Sequence, residues 1–197
     1  METTNFYNQK SDKLIQRYDN TNMSTLHNLL LKYFPKKSTV LDIGFGSGRD
    51  LQFLYNNGYS IWGVDPSENF IINAKKRFPK IANHFTKSSV PFQKEQLPFN
   101  KQFDAVITIA MWMHLKREQY EDVVRSIVSA SNSKSTIVIS YSEGNRANDE
   151  RYFENVDLEY ITKLFKSHNF PLIKKLKNGD NLNRDALTWI TVIYRHD

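Results

Sequence analysis

The amino-acid sequence predicts an α/β fold built on a doubly wound, mostly parallel sheet. Short apolar runs, such as residues 105–109, have the composition of strands that are buried on both faces. Segments with apolar residues at helical spacing alternate with these runs, which indicates parallel strands joined by helices. The last two runs alternate apolar and polar residues, as antiparallel strands do. The predicted strands are residues 40–43, 61–64, 82–85, 105–109, 136–140, 172–176 and 188–194.

Residues that favour helix ends delimit the helices between these strands. Pro35 ends the N-terminal helical region, and Gly58 follows the second helix at a position where a left-handed residue is favoured. Ser67 and Asp157 precede later helices as N-caps, and Asn169 closes the last one. The predicted helical regions are residues 5–34, 49–57, 67–79, 117–129 and 157–165.

Length and composition indicate one globular domain. The chain has 197 residues, of which 40% are hydrophobic, so it can bury a large core. It contains no cysteine, which excludes disulfides, thiolate metal sites, iron–sulfur clusters and a cysteine nucleophile, and no metal site is predicted. The first residues are polar and no apolar run approaches the length of a membrane span, so we expect a cytoplasmic protein.

The positive charge is spread along the chain. A formal net charge of +6 permits an anionic partner, but lysine and arginine occur only in short clusters. These clusters, residues 36–37, 75–77 and 174–175, fall where solvated helix ends and strand edges are expected. Scattered basic charge mainly affects solubility and non-specific attraction. A nucleic-acid partner therefore stays open but is not favoured.

A glycine-rich turn follows the first predicted strand and is the most informative feature of the chain. Gly44, Gly46 and Gly48 form the pattern G-x-G-x-G, and Asp65 stands at the end of the next strand. Glycines allow the backbone to approach a ligand closely. A carboxylate about 20 residues after such a turn can bind a ribose diol. The pattern therefore predicts a nucleotide-sized binding site.

The residues around the turn indicate which ligand binds there. Arg49 stands where the dinucleotide pattern has its third glycine, and no P-loop sequence occurs in the chain. Asp42, just before the turn, would repel a pyrophosphate, but it suits a ligand that carries an ammonium group. S-adenosylmethionine (SAM) has an ammonium group, a sulfonium and no phosphate, so it is the predicted ligand.

These residues resemble the motifs of the class I SAM-dependent methyltransferases, in particular the small single-domain bacterial type. The resemblance extends from about Thr39 to the C-terminus. It implies a Rossmann-like sheet of seven strands in the order 3-2-1-4-5-7-6, with the last strand antiparallel. It also implies one domain over residues 1–197, with an N-terminal helical cap or lid over residues 1–36 and a core over 37–197. The similar segments are residues 41–48, 63–67, 96–99, 103–107 and 112–115.

The resemblance and the ligand chemistry assign residues to the cofactor. Asp65 is expected to accept both ribose hydroxyls, although a turn or helix-capping role is the alternative. Asp42 is expected to balance the ammonium group, through water. The acid that often holds the adenine amino group in this family is missing; Ser88 or Ser89 with the backbone of Val90 is expected to make this contact, with ordinary loop serines as the alternative. The expected cofactor residues are Tyr18, Asp42, Gly44, Phe45, Gly46, Asp65, Pro66, Ser67, Ser89, Val90 and Ala110.

The expected catalytic residues are His114 and Tyr18. His114 follows the fourth strand and can act as a general base, but packing or capping of the next helix is the favoured alternative. Tyr18 and Tyr7 resemble lid tyrosines that close over SAM, with burial on an amphipathic helix as the alternative. The expected substrate residues are Tyr7, Trp112, Tyr141, Glu143 and Arg146, and Trp112 and Met111 have core packing as an alternative.

The predicted function is transfer of the SAM methyl group to an N, O or other nucleophile of a small molecule, with S-adenosylhomocysteine as the product. A methyltransferase acting on RNA or protein, a non-catalytic SAM-binding protein and, more remotely, a nicotinamide oxidoreductase stay open. Residues 109–112 read Ile-Ala-Met-Trp instead of D/N-P-P-Y, so an exocyclic-amine nucleic-acid methylase is not expected. The acceptor and the oligomeric state are not indicated.

Overall fold

A single mixed sheet forms the centre of the protein. The computed structural model describes residues 3–92, 99–144, 149–180 and 187–196, and in this part of the chain seven strands follow the order β3-β2-β1-β4-β5-β7-β6. Strands β1 to β5 pair in parallel, whereas β7 is antiparallel to both of its neighbours. The predicted order and orientation are therefore confirmed. The strands are β1 Thr39–Ile43, β2 Ser60–Asp65, β3 Phe85–Lys87, β4 Phe103–Ile109, β5 Ser131–Glu143, β6 Leu172–Gly179 and β7 Thr188–Arg195.

Helices cover both faces of this sheet. One hydrophobic cluster lies under the N-terminal helices, α3 and α4, and the other lies under α5 and α6. Short 3₁₀ helices at Pro79–His84, Trp112–His114 and Arg117–Gln119 join the main elements. Among the described residues, no helix combines the length and the apolar character that a membrane span requires. The helices are α1 Thr3–Asp19, α2 Ser24–Tyr33, α3 Arg49–Asn56, α4 Glu68–Arg77, α5 Tyr120–Ala130 and α6 Leu158–Ser167.

The predicted helical region at residues 5–34 divides into two helices. Side chains after α1 form local hydrogen bonds: Asn20 Nδ2 donates to the Gln16 carbonyl at 2.9 Å, and Thr21 Oγ1 donates to the Arg17 carbonyl at 2.9 Å. Such bonds compete with the helical backbone pattern, so the helix ends there and α2 begins at Ser24. This break allows α1 to lie over the ends of the strands as a separate arm.

The third strand lies three residues later than predicted. Residues 82–84 of the segment predicted as a strand lie in the 3₁₀ helix Pro79–His84, and β3 begins at Phe85, the last residue of that segment. Phe85 pairs with Gly63 of β2 and packs its ring on Phe45 and Phe78. Tertiary packing of this ring sets the start of the strand, which short-range apolar spacing did not indicate.

The predicted helix ends are confirmed by their geometry. The Ser67 hydroxyl accepts a hydrogen bond from the Phe70 amide, and the Asp157 carboxylate accepts one from the Tyr160 amide. Gly58 and Asn169 adopt φ values of 82° and 64° after their helices, as left-handed closing residues do. The parallel pairing of β1, β2, β4 and β5 places the carboxyl ends of these strands at one edge of the sheet.

Candidate active site

A cavity of about 580 Å³ lies at this edge of the sheet. Its walls come from the turn after β1, the ends of β2 and β4, residues 88–90 and the inner face of α1. The volume is in the range of small-molecule and cofactor sites. The predicted site residues that line it are Tyr7, Tyr18, Asp42, Gly44, Phe45, Gly46, Asp65, Pro66, Ser89, Val90, Ala110 and His114.

The glycine turn holds its shape through backbone hydrogen bonds and positive φ angles. The Gly44 amide donates to the Val64 carbonyl at 2.8 Å, and Gly44 and Gly46 have φ values of 77° and 57°. A β-carbon added to Gly46 would meet no protein atom within 4 Å. The requirement for glycine at this position is therefore conformational, and the space beside it is open to the cavity.

Asp65 is buried at the end of β2 and binds the glycine turn directly. Its carboxylate accepts hydrogen bonds from the Gly46 amide at 2.9 Å and from the Ser67 amide at 2.8 Å. Burial raises the pKa of Asp65 to about 6, against the effect of these two hydrogen bonds. A carboxylate has about four acceptor positions, so two stay available to a ligand. The turn role considered from the sequence is thus observed, and the ribose role stays a prediction.

Asp42 lies deeper, beneath the turn. Its Oδ1 atom is buried and has no hydrogen-bond partner among the described residues. Burial, and then the negative charges of Asp50 and Asp65, raise the pKa of Asp42 well above its ordinary range. A buried carboxylate oxygen without a donor is costly, and a cation or hydrogen-bond donor bound beside it would relieve that cost.

A third carboxylate, Asp50, was not predicted from the sequence. It accepts hydrogen bonds from Arg49 Nη2 at 2.9 Å and pairs with His27 Nε2 at 2.8 Å. Although burial opposes ionisation of Asp50, the attraction of Arg49 and these hydrogen bonds lower its pKa below the ordinary range. Arg49 Nη1 also donates to the Tyr18 carbonyl at 3.2 Å, which ties the end of α1 to the glycine turn. No sequence motif indicated that His27 and Tyr18 meet these two residues.

Two of the expected cofactor residues have structural roles in the turn. Ser67 does not line the cavity, because its side chain caps α4 and donates to Asn8 Oδ1 at 2.7 Å. Phe45 reaches the cavity but also packs on the core, and a β-carbon on Gly63 would lie 2.5 Å from its ring. Gly63 is therefore required so that Phe45 can pass between β2 and the turn.

Three of the expected substrate residues do not line the cavity. Trp112 is fully buried among Tyr120 and Phe165, and its indole donates to Thr108 Oγ1 at 2.9 Å. Tyr141 is fully buried too, and Glu143 is exposed beside it. The direct substrate role expected of these residues is therefore corrected to core packing for Trp112 and Tyr141, and Glu143 lies outside the cavity.

The register of the elements explains these corrections. Side chains alternate along a strand, so Ser140 lines the cavity and Tyr141, the next residue on β5, points into the opposite layer. Met111 lines the cavity, and Trp112, the first residue of the 3₁₀ turn, does not. Arg146 lies outside the described residues.

A polar cluster at the far side of the cavity was mostly missed. Tyr7 Oη lies 3.0 Å from His114 Nε2, and Arg151 Nη1 donates to Tyr7 Oη at 2.9 Å. Arg151 is held by Asp149 at 2.8 and 2.6 Å, and the ring of Phe153 packs on His114. Tyr7 and His114 were predicted separately. Nothing in the sequence indicated that they contact each other or that Arg151, which follows β5, contacts Tyr7.

The raised pKa of Asp65 predicts how its contribution to stability depends on pH. Because the folded-state pKa of about 6 lies above the ordinary 3.8, folding favours the protonated form. The contribution of Asp65 is therefore present below about pH 4 and is lost as the pH rises through about 6. The difference between these two pKa values corresponds to about 3 kcal/mol of unfolding free energy. We expect urea unfolding to show that wild type loses stability relative to Asp65→Asn over this interval.

Asp104 offers a control, because its contribution to stability has the opposite dependence on pH. Hydrogen bonds from Thr39 and Asn132 outweigh the effect of burial and lower the pKa of Asp104. Wild type should therefore lose stability relative to Asp104→Asn as the pH falls below the ordinary range of a carboxyl group. A difference between wild type and Asp65→Asn that is flat or rises with pH would contradict the assignment.

Comparisons with known proteins agree with this arrangement. A family model described as a methyltransferase domain matches residues 15–178. The chain is 26% identical over 192 residues to an uncharacterized methyltransferase of Alkaliphilus oremlandii, covering 87% of this chain and 80% of the relative. A structure of 1,6-didemethyltoxoflavin-N1-methyltransferase from Burkholderia thailandensis contains bound 1,6-didemethyltoxoflavin and S-adenosylhomocysteine. It is similar with a TM-score of 0.72 and 16% identity, covering 98% of this chain and 87% of that one.

The fold is also similar to that of magnesium protoporphyrin IX methyltransferase from Synechocystis. That comparison has a TM-score of 0.70 and 14% identity, and it covers 98% of both chains. The family match spans most of the chain, and the strand order is the one expected for this family. The chain therefore belongs to the SAM-dependent methyltransferases of the class I fold.

Proposed function

We propose that this methyltransferase transfers the methyl group of SAM to a nucleophile of a small-molecule acceptor. The observation that carries the proposal is the extent of the cavity. It continues from the glycine turn past Ala110 to Ser140 and Thr191 on the neighbouring strands, and α1 forms one of its walls. An acceptor that reaches the methyl group from this side must fit among these walls, which favours a small molecule over a folded macromolecule.

The residues of the cavity fit SAM. The unpartnered Oδ1 of Asp42 is a buried acceptor for an ammonium group. The open side of Gly46 allows an amino-acid tail to pass close to the backbone, and Asp65 keeps acceptor positions for ribose hydroxyls. Ser88, Ser89 and Val90 line the cavity beyond Asp65, which supports a contact of these residues with the adenine.

Each group of residues then has a task in the transfer. When bound, SAM supplies an electrophilic methyl group on a sulfonium and departs as a neutral thioether. The turn and Asp65 hold the donor, while α1 covers it with Tyr18, whose carbonyl is fixed by Arg49. Ser140 and Thr191, whose hydroxyls are hydrogen-bonded to each other, line the cavity beyond Ala110 and orient the acceptor. Orientation of the two reactants supplies much of the rate in such a displacement.

The acceptor class can be tested with SAM that carries a labelled methyl group. The protein is incubated with three fractions of a bacterial extract: small molecules, RNA and protein. We expect the label to enter the small-molecule fraction, where mass spectrometry identifies the product. Label in the RNA or protein fraction alone would overturn the small-molecule proposal.

The net charge of +6 favours one alternative, an RNA acceptor. Contacts with phosphates release counterions, so the activity of an RNA methyltransferase falls steeply as salt rises. For the proposed small-molecule reaction we expect the rate to change less than about threefold between 50 and 200 mM salt. For six or more phosphate contacts the affinity would fall by about 10³-fold or more. Tight SAM binding without transfer to any fraction would indicate a non-catalytic SAM-binding protein.

A further inference from the structure

Four residues form a continuous hydrogen-bond chain at the acceptor end of the cavity. Arg151 Nη1 donates to Tyr7 Oη at 2.9 Å, Tyr7 Oη lies 3.0 Å from His114 Nε2, and His114 Nδ1 lies 2.8 Å from the Tyr152 carbonyl. The members come from α1, from the 3₁₀ turn after β4 and from the segment after β5. Tyr7, His114 and Arg151 all line the cavity.

The chemistry of the partners determines where the protons lie. A backbone carbonyl only accepts, so Nδ1 of His114 carries a proton and donates to Tyr152. Arg151 only donates to Tyr7 Oη, and its guanidinium is paired with Asp149, so the single proton of the Tyr7 hydroxyl is directed to His114. With Nδ1 protonated and the ring neutral, Nε2 accepts that proton.

Tyr7 Oη therefore has one acceptor position left. A phenol oxygen carries one proton and two lone pairs; the proton faces His114, and Arg151 occupies one lone pair. Among the described residues nothing occupies the other. Burial, and then the nearby Tyr18, raise the pKa of Tyr7 against the opposite effect of Arg151, with Asp65 a further contributor. Tyr7 thus stays a neutral phenol that can pass a proton on but is not a ready-made phenolate.

We infer that Tyr7 and His114 form a proton relay for the methyl acceptor, an inference that rests on the proposed function. The acceptor donates its O–H or N–H proton to Tyr7 Oη while the Tyr7 proton moves to His114 Nε2. The electron pair released on the acceptor forms the new bond to the methyl carbon, and the carbon–sulfur bond breaks toward sulfur. The proton leaves the protonated His114 for solvent after product release. The relay specifies an acceptor that is protonated at neutral pH, such as a hydroxyl or a ring N–H.

The hydrogen bonds among Arg151, Tyr7 and His114 are not needed to hold α1 in place. Asn8 on the same helix binds Ser67 through its side chain at 2.7 Å, and its carbonyl accepts from Asn69 Nδ2 at 2.8 Å. Thr3 Oγ1 also accepts from the Tyr152 amide at 3.3 Å. Because these contacts anchor the helix on both sides of Tyr7, removal of one hydroxyl should leave α1 docked.

Two conservative variants separate a relay from a structural link. Tyr7→Phe removes the hydroxyl and keeps the ring, whereas His114→Gln keeps an amide oxygen that can accept from Tyr7 but cannot take up a proton. Tyr55→Phe, on the exposed surface of α3, and His168→Gln, at the end of α6, are matched controls. The rate of label transfer from SAM to the small-molecule fraction is measured across pH, and SAM affinity is measured by calorimetry.

We expect each relay variant to lose about 100-fold or more in transfer rate at unchanged SAM affinity. The double variant should lose no more than the worse single one, because both residues serve one step. The fall in rate at low pH, caused by protonation of His114, should be absent from the residual activity of His114→Gln. Both control variants should match wild type.

Other outcomes overturn the relay and are distinct from failure of the proposed function. A His114→Gln protein within about threefold of wild type, or a loss seen in SAM affinity instead of rate, would show a structural link. Nitrogen-15 NMR that finds His114 as an imidazolium or as the Nε2–H tautomer at neutral pH would also exclude it, without any acceptor. Wild type that transfers no label to the small-molecule fraction contradicts the proposed function itself.

Discussion

Replacing Asp65 with asparagine should weaken SAM binding by about 10-fold to 150-fold, the equivalent of one charge-assisted hydrogen bond of about 1.5–3 kcal/mol. The carboxylate already accepts the Gly46 and Ser67 amides, so its orientation is set before the ligand arrives. An asparagine side chain offers one oxygen and one NH₂ group, and the NH₂ group would face a backbone donor or a ribose hydroxyl without the charge. Isothermal titration calorimetry above about pH 7 measures the loss, because Asp65 is then ionised.

Asp104→Asn is the matched control for this substitution. Asp104 also accepts a backbone amide, that of Thr39, but it lies at the opposite end of the sheet from the cavity. Its replacement should change the stability of the protein and leave SAM affinity within about twofold of wild type. If Asp65→Asn folds normally and binds SAM with wild-type affinity, Asp65 does not contact the ribose and acts only on the turn.

Asp42→Asn should have opposite effects on stability and on binding. In the ligand-free protein the buried Oδ1 has no partner among the described residues, and Asp50 and Asp65 add repulsion to the cost of burial. Replacement by the neutral amide should therefore raise the melting temperature increasingly as the pH rises, by roughly 2–4 °C for each kcal/mol gained. SAM affinity should fall at least tenfold, because the ammonium group loses its counter-charge.

The two measurements on Asp42→Asn test one statement together. If Asp42 is retained for SAM binding at the expense of stability, a substitution that stabilises the protein should also weaken SAM binding. Asp50→Asn is the contrasting variant: its carboxylate is paired with Arg49 and His27, so its replacement should lower the melting temperature. A loss of stability in Asp42→Asn, with SAM affinity unchanged, would exclude an ammonium site beside Asp42.

The elements predicted well are those that local chemistry specifies. Ser67 and Asp157 cap helices through bonds to amides three residues away, and the positive φ of Gly58 follows from its place after a helix. The strand at residues 105–109 was found because all of its residues except Thr108 are apolar, and β4 extends it by two residues to Phe103. By contrast β3 was misplaced, since a three-residue strand has too few residues to show a pattern.

The candidate site shows the same difference between features set by nearby residues and features set by distant ones. Most of its donor half lies within a short stretch, from Asp42 to Ser67, and every predicted residue of this stretch except Ser67 lines the cavity. Its acceptor half depends on contacts between distant parts of the chain. Tyr7 meets His114 across 107 residues and Arg151 across 144 residues, and no local pattern reports such contacts.

The sequence by itself determined the fold family, the glycine turn and the acids on either side of it, because each depends on residues a few positions apart. Only the tertiary structure decided which side chains face the acceptor. A strand buried on both faces carries apolar residues on both of them, so the composition of β5 does not show that Ser140 faces the cavity and Tyr141 the core. That choice is made when β5 pairs with β4 and β7, because a shift of one residue would reverse every side chain.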